Sequence, residues 1–122
     1  LIKAMRIQEK VKGIGFDWDN VDQVKEKVIE EFTELHEAQI TGLVDEIENE
    51  FGDVLFSLVN YARFISVNPE DALERTNKKF IQRFQLMEEL MAKESVNISS
   101  MTLAEMDVFW EKAKITIAQK KH

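Results

Sequence analysis

The amino-acid sequence predicts an all-α protein in which four or five helices pack as a bundle. Hydrophobic residues make up 44% of the chain and charged residues 32%, a balance that allows both a core and a solvated surface. Only four Gly and one Pro are present, and apolar residues recur at helical spacing between the few turn signals. The length of 122 residues is that of one ordinary domain, so we expect a single domain over residues 1–122.

The first two predicted helices are separated by a loop with the sequence GIGFDWDN. The first helix begins at the start of the chain, carries apolar residues on one side and stops at Gly13 and Gly15. Asn20 or Asp19 can cap the second helix, which we expect from about Val21 to Gln39. A short break with the sequence ITGL then leads to the third helix.

The last three helices have clear start signals or a strong apolar pattern. The third helix, from about Asp45 to Ile65, is apolar on more than one side, which predicts a central position. Asn68 as N-cap, followed by Pro69, begins a fourth helix that we expect to run to about Lys93. Residues 102–105, TLAE, have the capping-box form and begin a fifth helix.

Bulk composition excludes several classes of function. A formal charge of -7 disfavours binding to nucleic acid through phosphate contacts. The absence of Cys removes disulfides, thiolate nucleophiles and cysteine zinc sites, and fits a cytoplasmic protein. No apolar run has membrane-spanning length and no signal peptide is visible, so no membrane partner is expected. Because the chain begins with Leu1 rather than Met, we expect it to be a piece of a longer protein that lacks upstream sequence.

Two acidic pairs lie on helix faces that ought to be buried. In the second helix, Glu31 falls inside the apolar stripe and Glu34 lies at its edge, one turn along. In the third helix, a narrow polar stripe without Lys or Arg runs along an otherwise apolar surface. It comprises Glu50, Asp53, Ser57 and Asn60.

These carboxylates predict a metal site. Burying an unpaired carboxylate costs several kcal/mol, and a cluster of carboxylates adds mutual repulsion. Residues at i and i+3 share a helix face, so each helix can offer two carboxylates to one point. Two facing pairs make an anionic cage of oxygen ligands, which suits Mg²⁺ or, as a substitute, Mn²⁺.

Two other interpretations of the acidic residues are disfavoured by the sequence. Either pair alone would be an ordinary solvated surface, but both pairs lie at apolar faces of neighbouring helices. A di-iron bundle also uses inward glutamates, and it needs Glu-x-x-His on two helices. The histidines are His36 and His122, and Thr33 stands three residues before His36, so the di-iron pattern is absent.

Further polar residues suit a site that handles phosphate. Lys79 and Arg83 are one turn apart on the fourth helix, near Asn77, and Lys27 lies one turn before Glu31. Each cation alone is an ordinary surface charge. Trp18 and Trp110 have two open roles that spacing does not separate, because either can be an apolar anchor or can stack on a base.

The chain resembles the MazG-type nucleoside triphosphate pyrophosphohydrolases. Glu30, Glu31 and Glu34 match an EExxE motif, and Glu50 and Asp53 match an ExxD motif. The flanking blocks GFDW, GDVLFSLVNYAR and NKKFIQRF are similar to the second, catalytic domain of two-domain MazG proteins, so that the resemblance covers nearly the whole chain. One departure is Asn49, where relatives often carry another acid.

The resemblance implies a Mg²⁺-dependent enzyme that hydrolyses nucleoside triphosphates to monophosphate and pyrophosphate, as a helical homodimer. Glu31, Glu34, Glu50 and Asp53 would be the catalytic residues and would hold the metal. The remaining implied residues would contact the nucleotide or its phosphates: Lys27, Glu30, Asn60, Asn77, Lys79, Arg83 and Trp110. We expect water to attack at the α–β linkage, with Glu34 as one candidate to orient or deprotonate it.

Three alternatives stay open from the sequence. The chain could be a specific dUTPase-like or dCTPase-like hydrolase, or a phosphoribosyl-ATP pyrophosphohydrolase. It could also be a non-catalytic helical dimer that senses nucleotide. A homodimer is expected independently from the third helix, because Phe56, Tyr61 and Phe64 widen its apolar perimeter beyond what one small bundle covers.

Overall fold

A computed structural model describes residues 1–120 and confirms the all-α fold class. Its helices are α1 (Ile2–Gly13), α2 (Val21–Thr41), α3 (Val44–Phe64), α4 (Pro69–Lys93) and α5 (Leu103–Lys120), with a 3₁₀ turn at Ile98–Ser100 before α5. The chain divides into two compact units, Leu1–Ala72 and the part that begins at Leu73. Within residues 1–120, no helix combines the length and the apolar character needed to cross a membrane.

The predicted helix starts are confirmed by their capping hydrogen bonds. The Asn20 side chain accepts a hydrogen bond from the backbone N–H of Gln23, at 3.0 Å. Asn68 caps α4 in the same way, accepting from two backbone N–H groups in the first turn. Thr102 and Glu105 form the reciprocal capping box, with both backbone N–H to side-chain distances at 3.2 Å.

Helices α2 and α3 form a hairpin around a two-residue turn. Gly42 ends α2 with φ of 72°, a left-handed conformation that glycine adopts without steric strain, and its N–H donates to the carbonyl of Ala38. The Thr41 hydroxyl lies 2.6 Å from the same carbonyl and 3.2 Å from a Glu46 carboxylate oxygen. In such an antiparallel pair, residues at equal distances from the turn face each other.

The core of the first unit lies along this hairpin. Its buried apolar side chains come from both helices: Val24 and Ala38 in α2, and Val54, Val59 and Ala62 in α3. Helix α1 joins the unit through buried Gln8, whose Nε2 donates a 2.9 Å hydrogen bond to the backbone carbonyl of Phe56. The loop after α1 is tied to α3 by a two-pronged pair of hydrogen bonds between Arg63 and Asp17.

The second unit has a core of its own. Met87 and Met91 of α4 pack with Phe109 and Ala113 of α5, and all four are buried. Methionine side chains are flexible and adapt to the shape of a core, and half-buried neighbours such as Phe84 and Trp110 pack against the cluster.

Candidate active site

Three carboxylates converge on one point between α2 and α3. Glu31, Glu50 and Asp53 each place one carboxylate oxygen within 4.8 Å of the others. Glu31 is buried, Glu50 is half-buried and Asp53 is exposed, so the group extends from the core of the first unit to solvent. We call these three residues the carboxylate triad.

The hairpin register explains why these residues meet. Glu31 stands eleven residues before Gly42 and Asp53 eleven residues after it, whereas Glu34 and Glu50 stand eight residues away on either side. Each helix contributes two acids three residues apart, which places both on the same face. The turn at Gly42 therefore sets the two pairs opposite each other.

Lys27 partly neutralises the buried Glu31. Its Nζ lies 2.9 Å from one Glu31 carboxylate oxygen, one turn along the same helix, and 3.5 Å from Glu30. The hydrogen bond to Glu31 is the main reason that the pKa of Lys27 is raised above its usual value, so the ammonium stays charged. Glu30 itself is exposed.

The charges and oxygen atoms of the triad fit a hard divalent cation. The second carboxylate oxygen of Glu31 and one of Glu50 are buried and have no hydrogen-bond donor within residues 1–120. Three carboxylates face one Lys ammonium, which leaves an excess of negative charge. Carboxylate oxygens are the ligands that Mg²⁺ and Mn²⁺ prefer, so a bound cation would satisfy both the open oxygens and the excess charge.

Glu34 borders the triad and is not one of its three members. The pKa of its half-buried carboxyl is raised, first by the negative charge of Glu31, then by desolvation and by the charge of Glu50 and a hydrogen bond with it. Glu34 and Glu50 also line an acidic cleft of about 580 Å³, whose lining includes Thr41 at the end of α2. Glu46 and Asn49 lie in the same cleft.

Asn60 lies further along the same face of α3, and its amide oxygen already accepts a hydrogen bond from another side chain. It accepts a 2.6 Å hydrogen bond from Arg63. The Arg63 guanidinium in turn holds the pKa of the Asp17 carboxyl below its usual value, mainly through their hydrogen bonds. The predicted contact residue is thus part of a side-chain network in the first unit.

The other predicted contact residues belong to the second unit. Lys79 and Asn77 are exposed and Arg83 is half-buried, and neither cation forms an ion pair within the described residues. The Trp110 ring packs at 5.1 Å from Phe80, between ring centroids. His36 is exposed, and His122 lies outside the described residues.

Sequence reasoning did not single out Gln8, Asp17 or Arg63, which surround a cavity next to α3. For Gln8 a signal was present, because it stands four residues after Ala4 and three before Val11, within the apolar stripe of α1. No comparable signal connects Asp17 with Arg63, since the two are 46 residues apart in the chain.

Comparison with known proteins gives consistent matches. The sequence model of one protein family, the MazG nucleotide pyrophosphohydrolase domain, matches residues 20–87 of this chain. The chain is 46% identical over 114 residues to the nucleoside triphosphate pyrophosphohydrolase/pyrophosphatase MazG of Thermotoga maritima, covering 93% of this chain and 44% of that protein. It is 34% identical over 116 residues to the nucleoside triphosphate pyrophosphohydrolase of Escherichia coli K12, with the same coverage.

A third relative is the uncharacterised protein YabN of Bacillus subtilis, 49% identical over 70 residues. That match covers 57% of this chain and 14% of YabN. The chain thus spans less than half the length of the curated relatives that it matches.

Proposed function

Because the chain belongs to the MazG nucleotide pyrophosphohydrolase domain family, we propose that it hydrolyses nucleoside triphosphates to the monophosphate and pyrophosphate. The observation that carries the proposal is the carboxylate triad with its two buried, unpartnered oxygens. A buried anionic cluster of this kind destabilises an apo protein, and it suits a cation that also binds polyphosphate.

The proposed metal is Mg²⁺, with Mn²⁺ as a substitute. Glu31, Glu50 and Asp53 would hold it, and Glu34 is the neighbouring carboxylate. When bound, the ion would neutralise phosphate charge and lower the pKa of a coordinated water. Lys27 orients the Glu31 carboxylate through their 2.9 Å contact, so that the other carboxylate oxygen is left for the metal.

Glu34 is the residue that we assign to the attacking water. It borders the triad and lines the same cleft as Glu50, so its carboxylate is placed to accept a proton from a water beside the metal. We propose attack on the α-phosphorus, so that pyrophosphate leaves. Hydrolysis in ¹⁸O-labelled water tests this directly: label in the monophosphate supports attack at the α-phosphorus, and label in pyrophosphate contradicts it.

The cations Lys79 and Arg83, together with Asn77 and Trp110, are proposed to contact the substrate. Both cations are open to solvent at least in part and lack an ion-pair partner within residues 1–120. A guanidinium and an ammonium one turn apart suit the phosphates of a nucleotide.

We also propose a homodimer. Phe51, Leu55 and Phe56 of α3 are 53%, 43% and 45% exposed, a large apolar surface for one helix. Light scattering on the purified protein at micromolar concentration checks this, and a stable monomer would contradict it. Cytoplasmic location stays a prediction from the sequence.

A nucleotide panel with pyrophosphate detection tests the activity. We expect release of pyrophosphate from several nucleoside triphosphates in the presence of Mg²⁺, and none after chelation with EDTA. Release from dUTP, dCTP or phosphoribosyl-ATP alone would instead favour a specific hydrolase. Binding of Mg²⁺ and nucleotide without any pyrophosphate release would favour a nucleotide sensor.

A further inference from the structure

Most of the sulfur in this protein lies in one small core. The chain has no Cys, and four of its five methionines belong to the core of the second unit: Met87, Met91, Met101 and Met106. The fifth, Met5, is half-buried in α1. Within residues 1–72, the buried apolar side chains are Val and Ala. Because oxidants attack a thioether and leave Val and Ala unchanged, the two cores differ in their sensitivity to oxidation.

Met87 and Met91 are the buried methionines of this core. They are 3% and 2% exposed, and they pack with Phe109 and Ala113. A sulfoxide at either position would bring a polar S=O group into apolar surroundings, which destabilises the folded state. The closed packing keeps an oxidant in solvent away from both side chains as long as the unit stays folded.

Met101 and Met106 lie at the edge of the same core. Both are half-buried, and both pack against the buried cluster. They flank the capping box at the start of α5, where the Met106 backbone N–H donates to the Thr102 carbonyl at 3.0 Å. Since oxidation follows exposure, an oxidant in solvent should reach these two thioethers before those of Met87 and Met91.

The connection that leads to Met101 contains a strained residue and short-range contacts. Ser95, two residues after the end of α4, has φ of 55°, a left-handed conformation that costs energy for a residue other than glycine. Asn97 then accepts from the backbone N–H and the hydroxyl of Ser99, at 3.1 and 2.9 Å, and both bonds are exposed. Exposed bonds between near neighbours are typical of segments that open locally, and opening here exposes Met101 further.

We propose that Met101 and Met106 are modification sites at which a hydroperoxide, such as hydrogen peroxide, opens the core of the second unit. The methionine sulfur is oxidised and the peroxide is reduced. The sulfur lone pair bonds to one peroxide oxygen as the O–O bond breaks, and the proton on that oxygen passes to the departing hydroxide, which leaves as water. Each sulfoxide places a polar group against the core, so the core loosens and the buried methionines become accessible. Methionine sulfoxide reductases reverse the change by restoring the thioether.

Opening of the second unit has a consequence for the substrate. That unit carries the proposed contacts Lys79, Arg83 and Trp110, and Trp110 packs against the methionine core, whereas the carboxylate triad belongs to the first unit. We therefore expect oxidation to weaken nucleotide binding and to leave Mg²⁺ binding nearly unchanged. This consequence rests on the proposed function, and the opening itself does not.

Mass spectrometry of peptides from the peroxide-treated full chain measures the order of oxidation. Met101 and Met106 should gain oxygen at least about tenfold faster than Met87 and Met91, which react only when the unit opens. In the double variant Met101→Leu with Met106→Leu, oxidation of the buried pair should slow by about threefold or more, because no sulfoxide loosens the core. Leu replaces Met at similar volume, so this variant keeps its packing.

Met5→Leu is the matched control, because it removes the one methionine of the first unit. It should leave the oxidation rates of the buried pair unchanged. Equal oxidation rates of Met87 and Met91 in the unmodified protein and in the double variant would overturn the proposal, since the edge methionines would then not control access to the core.

Limited proteolysis measures the opening itself. Oxidised protein should be cut within α4 or α5 at least about tenfold faster than untreated protein, because cleavage follows the population of the open form. Cleavage within residues 1–72 should change less than about twofold. Treatment with methionine sulfoxide reductases should restore slow cleavage, and the peroxide-treated double variant should be cut as slowly as the untreated protein. Cleavage that oxidation leaves unchanged, or raises equally in both units, would overturn the proposal.

Calorimetry separates this inference from the proposed function. An α,β-methylene nucleoside triphosphate, which resists hydrolysis, should bind the oxidised protein at least about fivefold more weakly, with Mg²⁺ affinity within about twofold of that of the untreated protein. Unchanged nucleotide affinity in a protein whose second unit has opened would refute the substrate contacts and leave the modification sites in place. If the untreated protein hydrolyses no triphosphate, the proposed function is wrong, and mass spectrometry and proteolysis still decide the modification sites.

Discussion

Glu31 in α2 and Gln8 in α1 occupy the same kind of position, a polar side chain within an apolar helical stripe. Each also has one buried oxygen without a hydrogen-bond donor in the described part of the chain. They differ in where their fixed contacts come from. Glu31 is held by Lys27, four residues earlier on its own helix, whereas Gln8 is held by the backbone of Phe56, 48 residues away.

The difference teaches which sites can be seen in a sequence. An acid and a base one helical turn apart are visible from spacing alone, and a charge in an apolar stripe demands a partner. Burying a neutral amide costs less than burying a charge, so a Gln in such a stripe is a weaker indication that a partner exists. The partner of Gln8 depends on how α1 packs on α3. A cluster of acids from α2 and α3 was therefore predictable, and the placement of Gln8 against α3 was not.

The largest expected effect comes from Asp53→Asn. If the triad holds the metal, loss of one ligand charge should lower kcat/KM by at least about 100-fold, since even the outer partners of metal ligands are worth roughly 10–100-fold. Asp45→Asn is the matched control, because it changes an exposed acid of α3 outside the triad. Pyrophosphate release at saturating Mg²⁺ measures both, and similar rates in both variants would mean that the triad is a solvated face.

Lys79→Ala and Arg83→Ala should lower kcat/KM by about tenfold each, the order expected for one charge-assisted hydrogen bond to phosphate. Mg²⁺ affinity, measured by calorimetry without nucleotide, should stay nearly unchanged, because neither side chain can ligate a metal. A variant that lost Mg²⁺ affinity and kept its nucleotide kinetics would contradict the assignment. This contrast separates the proposed phosphate contacts of Lys79 and Arg83 from the proposed metal binding by the carboxylate triad.

Mg²⁺ should stabilise the folded protein, because the triad is assembled only in the folded state. At about a hundredfold excess over Kd, the stabilisation is roughly 2–3 kcal/mol, which raises Tm by several degrees for a domain of this size. Thermal melts with and without Mg²⁺ measure this rise. It should shrink in Asp53→Asn, and the metal-free variant should be as stable as the unmodified protein or more so, since one repelling charge is removed.

Lys27→Met tests the local partner that distinguishes Glu31 from Gln8. It should destabilise the metal-free protein by about 1–2 kcal/mol, between the values for exposed and for buried ion pairs, because the Lys27 side chain is 37% exposed. Mg²⁺ should then recover part of that loss. Lys25→Met, at an exposed position on the same helix, should be nearly neutral. Urea unfolding with and without Mg²⁺ measures the stability of both variants. Equal stability of the two variants would contradict the role of Lys27.

The smallest effect is expected from Asp17→Asn, which weakens the anchor of the Trp18 loop. The pKa of Asp17 is lowered in the folded protein, so the contact with Arg63 adds stability above the unfolded pKa of about 3.9 and loses it as pH falls through the lower folded value. We expect a loss of about 1 kcal/mol at pH 7, where this pair is partly exposed. The difference in unfolding free energy between the unmodified protein and Asp17→Asn, measured in urea, should become smaller toward pH 3. A difference that stays constant with pH would mean that the charge of the Asp17 carboxylate does not contribute.

The sequence by itself determined the helices and the family. The capping residues Asn20, Asn68 and Thr102 act within one turn of their own position, so the starts of α2, α4 and α5 depend on local sequence and were predicted correctly. The acids at i and i+3, and the turn at Gly42 between them, likewise fixed which faces the carboxylates occupy. The resemblance to MazG proteins is confirmed by the match over residues 20–87.

Only the tertiary structure decided which of the acids meet and what surrounds them. It groups Glu31, Glu50 and Asp53 and leaves Glu34 at their border, because burial and side-chain direction depend on how the two helices pack. It also brings Gln8 to Phe56 and Asp17 to Arg63 across more than forty residues of chain. Such contacts depend on the packing of whole helices against each other, and the periodicity of one helix does not indicate which residues of another helix it will contact.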